Sequence, residues 1–241
     1  MPAEPLDPPP VRPATPSTAP QAGSSTGPQA GPTAAGPVVG FDLDMTLIDT
    51  APGFGEVLRV LGRELGVDFP VEQMTARLGP PLEHLLADHL PAAEVGPAGD
   101  RFRSLYPHHA ITGVPVLPGA HAAFEAVRRH GGRVLVVTGK YAPNARLHLD
   151  HLDLRADRLE GWVWGTGKAE VLREEGAALY VGDHVHDVEG ARAAGALSVS
   201  VLTGGCTRGE LLHAGTGVVL ASLLEFPDWL EDHLRETRVA G

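Results

Sequence analysis

A short apolar run, residues 38–41, ends directly in two carboxylates, Asp42 and Asp44, and the hydroxyl of Thr46 follows two residues later. Side chains at positions i and i+2 of a strand point to the same side, so the two aspartates can converge just beyond the strand. Open α/β sheets bind their ligands at edges of this kind. The segment therefore predicts a buried strand that delivers an acidic site.

This pair of carboxylates suits one kind of chemistry in particular. Aspartate is a competent nucleophile toward phosphorus, and a second carboxyl can donate and accept the proton. Together, Asp42 and Asp44 would attract a hard cation such as Mg²⁺. Taken alone, the pattern is also compatible with an Asx turn or a helix cap, so the rest of the chain has to decide.

Two later apolar runs end in polar residues in the same way. Residues 133–137 form a β-branched run followed by Thr138, whose hydroxyl can hold a phosphate oxygen. Residues 178–181 form another, followed by Asp183 and Asp187, which could share a cation. Three buried strands with polar carboxyl ends predict a parallel sheet whose site lies at one edge.

The chain has only two lysines, Lys140 and Lys168, among nineteen Lys and Arg residues. Lys168 stands where a glycine-containing loop meets a helical pattern over residues 169–175, so it is a plausible partner for negative charge. Lys140 is compatible with either a site residue or ordinary surface charge. The loop is not a phosphate-binding P-loop, because Thr166 and Ala169 stand where that motif needs Gly and Ser or Thr.

In this order, the four segments resemble the motifs of the haloacid dehalogenase superfamily, specifically its phosphoglycolate phosphatase-like subgroup with a helical cap. The resemblance runs from residue 38 to at least residue 202. It implies an α/β fold, a doubly wound Rossmann-like parallel sheet with an inserted α-helical cap. The matching motifs are Asp42-x-Asp44-x-Thr46, Thr138, Lys168, and Gly182-Asp183 with Asp187.

Three positions depart from the family pattern. Met45 stands where the family usually has Gly, which puts the geometry of the loop after the first strand in doubt. Gly139 replaces the frequent Asn after Thr138. Ala169 replaces the usual Pro after the third-motif lysine, so the backbone there is expected to be less rigid.

The resemblance implies a magnesium-dependent hydrolysis of a small phosphorylated metabolite through an aspartyl-phosphate. Asp42 would be the nucleophile, and Asp44 would act first as acid and then as base. Mg²⁺ would be held by the Asp42 carboxylate, the main-chain carbonyl of Asp44 and the Asp183 carboxylate, with Asp187 orienting this shell or Lys168. The expected phosphate-binding residues are Thr46, Thr138, Gly139 and Lys168.

Two alternatives stay open at this point. A phosphomutase of the same superfamily uses the same groups and differs mainly in what the cap admits. A non-catalytic protein that binds a metal or a phosphorylated ligand is the other, although binding alone would not require Asp44 as an acid. A dehalogenase is disfavoured because a leaving halide needs no proton.

The expected domains follow from changes in composition and hydrophobic pattern along the chain. Residues 1–37 contain half of the prolines and are expected to form a disordered Pro/Ala-rich tail. Residues 38–49 and 114–241 would form the α/β core domain. Residues 50–113 would form the cap, with helical patterns over 54–65, 71–78 and 82–90. Within the cap, Arg77, His84 and the loop Gly79-Pro80-Pro81 are candidate substrate contacts.

Composition limits the partners. A formal charge of −11 opposes nucleic-acid or anionic-membrane binding, and no transmembrane span is expected. The single cysteine, Cys206, cannot form an internal disulfide, and without a signal sequence a cytoplasmic location is expected. The chain is expected to be a monomer or a homodimer. A zinc site at His184 and His186 is disfavoured because neither cysteines nor a helical i, i+4 pairing support it.

Overall fold

The computed structural model describes residues 36–240, with side chains described to residue 239. Within that range the six strands are β1 (Val38–Phe41), β2 (Arg133–Val137), β3 (Arg158–Glu160), β4 (Leu179–Gly182), β5 (Leu197–Val201) and β6 (Val218–Leu220). The ten α-helices of the same range are α1 (Ala51–Leu65), α2 (Val71–Thr75), α3 (Leu82–Ala87), α4 (Ala92–His109), α5 (Ala120–Arg129), α6 (Ala142–His151), α7 (Lys168–Glu174), α8 (Val185–Ala194), α9 (Arg208–Ala214) and α10 (Phe226–Ala240).

The strands form one parallel sheet in the order β3-β2-β1-β4-β5-β6. Apart from Arg133 at the start of β2, the central strands are buried and mostly apolar, because helices cover both faces of the sheet. The predicted doubly wound α/β fold is confirmed.

The sheet places the ends of three strands side by side. β1 lies between β2 and β4, and Phe41 is level with Val136 on one side and Val181 on the other. The chain winds outward from β1 in both directions, through β2 and β3 on one side and through β4, β5 and β6 on the other. Such a reversal opens a crevice at the carboxyl edge of the sheet, where ligands bind.

Each face of the sheet buries its own apolar layer. On one face Phe41 packs against Phe124 of α5 and Phe226 of α10, with ring centroids 5.3 Å and 5.4 Å apart. On the other face, Leu135 and Tyr180 pack with residues of α7 and α8. Burial on both faces fixes the register of β1 and therefore the position of the residues that follow it.

Helices α1 to α4, which lie between β1 and α5 in the chain, have a separate core. Helix α1 packs against α4, and Phe54 and Phe102 meet with ring centroids 4.8 Å apart. The other buried members of this cluster are Val57, Leu58, Leu61, Phe69, Val71, Met74, Leu85, Leu86, Leu90, Ala98, Leu105, Tyr106 and Ala110. We call helices α1 to α4 the helical segment.

The predicted helices of this segment need three corrections. The helix expected over 71–78 ends at Thr75, and the one expected over 82–90 ends at Ala87. The longest helix, α4, was not predicted, because Pro97 and Pro107 lie inside it and proline normally interrupts a helix. Its buried face against α1 outweighs that preference.

Among the residues that the structure describes, no helix combines the length and apolar character needed to cross a bilayer. The predicted disordered tail lies outside the described residues, apart from residues 36 and 37.

Candidate active site

Three carboxylates meet at the carboxyl edge of the sheet. Asp42 follows β1, and its N–H donates to the carbonyl of Val181 at 2.8 Å. Asp183 follows β4, and Asp187 lies in the first turn of α8. One oxygen from each of the three carboxylates lies within 4.8 Å of the others, and all three side chains are buried. The prediction that these residues share one location agrees with this geometry.

Lys168 connects two of these carboxylates. Its Nζ donates to Asp42 Oδ1 at 3.0 Å, to Asp187 Oδ1 at 2.7 Å and to the hydroxyl of Tyr180 at 2.8 Å. Burial alone would lower the pKa of this ammonium, but Asp187 and Asp42 raise it well above its ordinary value. Lys168 is therefore a permanent positive charge with all three donors engaged.

One cation does not neutralise the three acids. Burial raises the pKa of Asp42 to about 7, with Asp187 and Asp44 adding to the rise and Lys168 opposing it. Burial also raises the pKa of Asp183 well above its ordinary value, and the charges of Asp187 and Asp42 reinforce this. The cluster thus carries excess negative charge that an additional cation would stabilise.

Asp44 has a cation of its own. Lys140 Nζ donates to Asp44 Oδ1 at 2.8 Å and lies 4.6 Å from the centroid of the Tyr106 ring. Burial tends to raise the pKa of Asp44, but Lys140 outweighs it and the pKa is lowered. Lys140 itself is only 9% exposed. The sequence left Lys140 open, and the structure places it in the site, so both lysines of the chain pair with the two aspartates that follow β1.

The predicted phosphate-binding residues have different surroundings. The fully buried hydroxyl of Thr46 donates to Asp183 Oδ1 at 2.8 Å, so it orients a carboxylate. Thr138 lines the cavity described below together with Gly139, and its hydroxyl accepts the N–H of Lys140 at 3.2 Å. A phosphate contact of these residues remains a prediction.

Two glycines allow the acids to approach the backbone closely. A Cβ on Gly182 would lie 2.3 Å from Asp187 Oδ2, and a Cβ on Gly204 would lie 1.8 Å from Asp183 Oδ2. Neither position can hold a larger residue without moving a carboxylate. Gly204 was not predicted as a site residue, because its loop follows β5 and carries no charged group of its own.

Met45 occupies a position that favours glycine. Its φ is +58°, in the left-handed region, which explains why a Gly is usual here in the resembling family. Its carbonyl accepts the hydroxyl of Thr203 at 2.6 Å, and its N–H donates to the carbonyl of Ile48 at 2.9 Å. These bonds hold the strained loop in place despite the larger side chain.

A cavity of about 220 Å³ lies between the carboxylates and the helical segment. The loop Gly79-Pro80-Pro81 lines it, as expected. Arg77 and His84 are not among its lining residues, and Arg77 instead pairs with Asp88 at 3.1 Å on the exposed surface. The arginine of the helical segment that does line the cavity is Arg103, which was missed because α4 was not predicted.

Side-chain hydrogen bonds are among the contacts that join the helical segment to the α/β part. Trp164 Nε1–H donates to the carbonyl of Gly79 at 2.9 Å. The Tyr106 hydroxyl and His148 Nε2 are 3.0 Å apart in a buried hydrogen bond. Burial, reinforced by Lys140, lowers the pKa of His148 to about 3, so this imidazole is neutral. These hydrogen bonds hold the helical segment against the α/β part.

The zinc and cysteine alternatives gain no support. The group of residues found in the described part of the chain that could hold a metal consists of the three aspartates. His184 instead caps α8, accepting the N–H of His186 at 3.3 Å. Burial raises the pKa of Cys206, which makes its thiol a poor nucleophile.

The comparisons with known proteins agree with this site. The family model described as haloacid dehalogenase-like hydrolase matches residues 39–192, and a HAD-hydrolase-like model matches residues 167–226. The chain therefore belongs to the haloacid dehalogenase-like hydrolase family. The predicted resemblance and the predicted phosphatase class are confirmed.

Individual relatives show which members of this family the chain is similar to. It is 31% identical to a phosphoglycolate phosphatase of Rhodospirillum rubrum, over 79% of this chain and 89% of the relative. It is 29% identical to a 5'-nucleotidase of Pseudomonas aeruginosa, over 82% and 96%. The structure of a haloacid dehalogenase-like family hydrolase from Streptococcus pneumoniae superposes with a TM-score of 0.73 at 23% identity, over 80% of this chain and 98% of that one. The last similarity supports the fold.

Proposed function

We propose that the chain is a magnesium-dependent phosphatase that hydrolyses a small phosphate monoester through an aspartyl-phosphate formed on Asp42. The observation that carries this proposal is the convergence of Asp42, Asp183 and Asp187 around Lys168, beneath a covered cavity that Asp44 also lines. A binding protein would need the metal and phosphate ligands, but it would not need a second carboxylate paired with its own lysine.

The donor set fits a hard divalent cation. It offers carboxylate oxygens, and burial together with the neighbouring carboxylates raises the pKa values of Asp42 and Asp183, which a bound cation would offset. We assign Asp42, Asp183, Asp187 and the main-chain carbonyl of Asp44 as the residues that would hold Mg²⁺. When bound, Mg²⁺ would neutralise charge on the phosphate oxygens.

Affinity for Mg²⁺ should rise with pH across the neutral range. A cation can bind only after Asp42 and Asp183 lose their protons, so binding releases protons. Calorimetric titrations in buffers of different protonation enthalpy should detect this release near pH 6, and the Kd should fall by up to about tenfold per pH unit for each proton released. Asp183→Asn should weaken binding at every pH. A pH-independent Kd would contradict the assignment.

The chemistry then proceeds in two displacements. The ester binds as its monoanion and passes its proton to Asp44, which Lys140 holds ionised beforehand. An Asp42 carboxylate oxygen attacks phosphorus, the bond between phosphorus and the ester oxygen breaks, and the departing alkoxide takes that proton from Asp44. In the second step Asp44 removes a proton from water, the water oxygen attacks phosphorus, and the bond to Asp42 breaks to release phosphate. Lys140 favours the second step, because it holds Asp44 in its ionised form.

The remaining residues of the site are proposed to position the reacting groups and to neutralise the charge of the phosphate. Lys168 fixes the Asp42 carboxylate and supplies positive charge beside the transferring group. Thr138 and Gly139 line the cavity and are proposed to bind phosphate oxygens. Thr46 is proposed to act on the phosphate site through Asp183, whose carboxylate accepts its hydroxyl proton.

The helical segment is proposed to be a cap domain over residues 50–113. It has its own apolar core, and its residues line the cavity opposite the acids. Phosphoglycolate is one candidate substrate, because several relatives are phosphoglycolate phosphatases, and a nucleotide is another, because one relative is a 5'-nucleotidase. We further propose a cytoplasmic enzyme that is a monomer or a homodimer.

The direct test is phosphate release from a panel of small phosphate esters, with Mg²⁺ and with a chelator. We expect release that depends on Mg²⁺. A panel on which the protein is inactive would contradict the proposal. Formation of an isomeric ester without inorganic phosphate would indicate a phosphomutase instead.

Replacing Lys140 should change the pH dependence of turnover. Without its ammonium, burial raises the pKa of Asp44, so the ionised base is present only at higher pH. For Lys140→Met, the low-pH limb of the kcat profile, measured where hydrolysis of the aspartyl-phosphate limits turnover, should move upward by about one unit or more, which lowers the rate below that limb about tenfold. Lys140→Arg retains the charge and should shift the limb less. An unchanged limb in Lys140→Met would show that Lys140 does not set the ionisation of Asp44.

A further inference from the structure

The cavity beside the carboxylates is lined by many aromatic side chains. Six aromatic side chains line it, including two of the three tryptophans and two of the three tyrosines in the chain. We call this set the aromatic wall, and its members are Phe54, Phe102, Tyr106, Tyr141, Trp162 and Trp164. A phosphate group has no use for such a surface, so the wall faces the other part of the ester.

The Lys and Arg side chains of the cavity are already paired. Lys168 binds Asp42 and Asp187, and Lys140 binds Asp44. Arg103, which is 14% exposed, pairs with Glu83 and lies 3.3 Å from Asp100. A substrate with a second anionic group, such as the carboxylate of phosphoglycolate, would have to displace one of these carboxylates from its cation. The site therefore disfavours a second negative charge.

The volume of the cavity points the same way. Since one water occupies roughly 10–15 Å³ of such volume, the 220 Å³ cavity has room for considerably more than a phosphate group and two carbons. Of the rings that line the cavity, Tyr141, Trp162 and Trp164 have exposed surface, and they favour a flat, uncharged group that can stack on them.

Resting on the proposed phosphatase function, we propose that the substrate is a phosphate monoester whose alcohol portion carries an uncharged flat ring, as in a nucleoside monophosphate, and that Trp162 is a specificity residue for this ring. Trp162 stands at the rim of the cavity, 5.0 Å from the Tyr141 ring and 5.2 Å from the Arg103 guanidinium. Its side chain is 63% exposed, which leaves indole surface available to a ligand.

The backbone supports this role for Trp162. Its φ is +60°, a conformation that costs a bulky residue free energy. Its N–H donates to the carbonyl of Lys140 at 2.9 Å. This bond connects the strained turn to the loop that carries Lys140, the residue paired with Asp44. An exposed tryptophan held in this way is poorly explained by packing of the fold alone.

The test measures binding without turnover. Asp42→Asn protein with Mg²⁺ is titrated by calorimetry with three ligands. They are adenosine 5'-monophosphate, ribose 5-phosphate, which lacks the flat base, and phosphoglycolate. We expect the nucleotide to bind about tenfold more tightly than either of the others. Equal affinities, tighter binding of phosphoglycolate, or no measurable gain from the ring would overturn the proposal. Tight phosphoglycolate binding would instead assign Arg103 to the second anion.

Variants at the rim separate ring stacking from general effects. Trp162→Leu should lower the ratio of nucleotide to ribose 5-phosphate affinity about tenfold, whereas Trp162→Phe should retain most of it. Leu224→Ala removes a comparably exposed apolar side chain that does not line the cavity, and it should leave the ratio unchanged. An unchanged ratio in Trp162→Leu would remove Trp162 from the proposal. Because these titrations measure binding and need no catalysis, they test the preference for the ring even if the phosphatase assay shows no activity.

Discussion

Asp42→Asn should abolish phosphate release, with a loss of about a thousandfold or more in kcat. The amide that replaces the carboxylate cannot attack phosphorus, and no other carboxylate occupies its position at the end of β1. The measurement is phosphate release under saturating ester and Mg²⁺, with a search for covalent phosphate on the wild type after rapid acid quench. The wild type should carry acid-stable, hydroxylamine-sensitive phosphate, and the variant should carry none.

Stability measurements can exclude unfolding as the cause of that loss. Because the pKa of Asp42 in the folded protein is about 7, above its ordinary value of 3.8, this carboxyl destabilises the metal-free fold increasingly as pH rises between those values. Asn does not ionise, so the unfolding free energy of the variant should depend less on pH in that window. Asp49→Asn is the matched control, since Asp49 accepts the N–H of Ala51 at 3.1 Å and does not line the cavity. It should remain active, and residual turnover in Asp42→Asn would contradict the nucleophile assignment.

Lys168→Met should cost both activity and stability. The ammonium is 3% exposed and holds Asp42 and Asp187 at hydrogen-bond distance, so its removal leaves two buried carboxylates without their cation. Removing one partner of a buried ion pair typically costs about 3–5 kcal/mol. We expect a loss of this order in the unfolding free energy by urea denaturation, together with loss of phosphate release.

A second substitution distinguishes the two losses. The double variant Lys168→Met/Asp187→Asn lacks one of the two buried carboxylates that Lys168 neutralises. Much of the lost stability should therefore return. Activity should not return, because the positive charge beside the transferring phosphoryl group is still missing. If the double variant regained turnover, Lys168 would be a structural residue only.

The sequence was informative where local pattern and chemistry coincide. The run 38–41 before Asp42 predicted β1 and the acidic residues that follow it, because a short apolar run is typical of a buried parallel strand. The same logic placed Asp183 beside it. Lys168 was predicted because a charged residue at a loop-helix junction is conspicuous in a chain with two lysines.

The sequence was less informative where tertiary contacts decide. Helix α4 carries Pro97 and Pro107, so local preference argued against it, and only its packing on α1 explains it. Arg103 and Tyr106 come from that helix and were therefore missed, and Arg77 was proposed in their place. The role of Lys140 also depends on Asp44, 96 residues away in the chain, and no local signal reports such a pairing.

The commitment of both lysines to buried ion pairs has a practical consequence. The ε-amines of Lys140 and Lys168 are poorly accessible to an acylating reagent, because their side chains are only 9% and 3% exposed. The arginines that carry the remaining positive charge do not react with such reagents. The rate of lysine acylation, followed by mass spectrometry, should therefore report how often the site becomes accessible. A ligand that keeps the cavity covered should slow acylation at both positions.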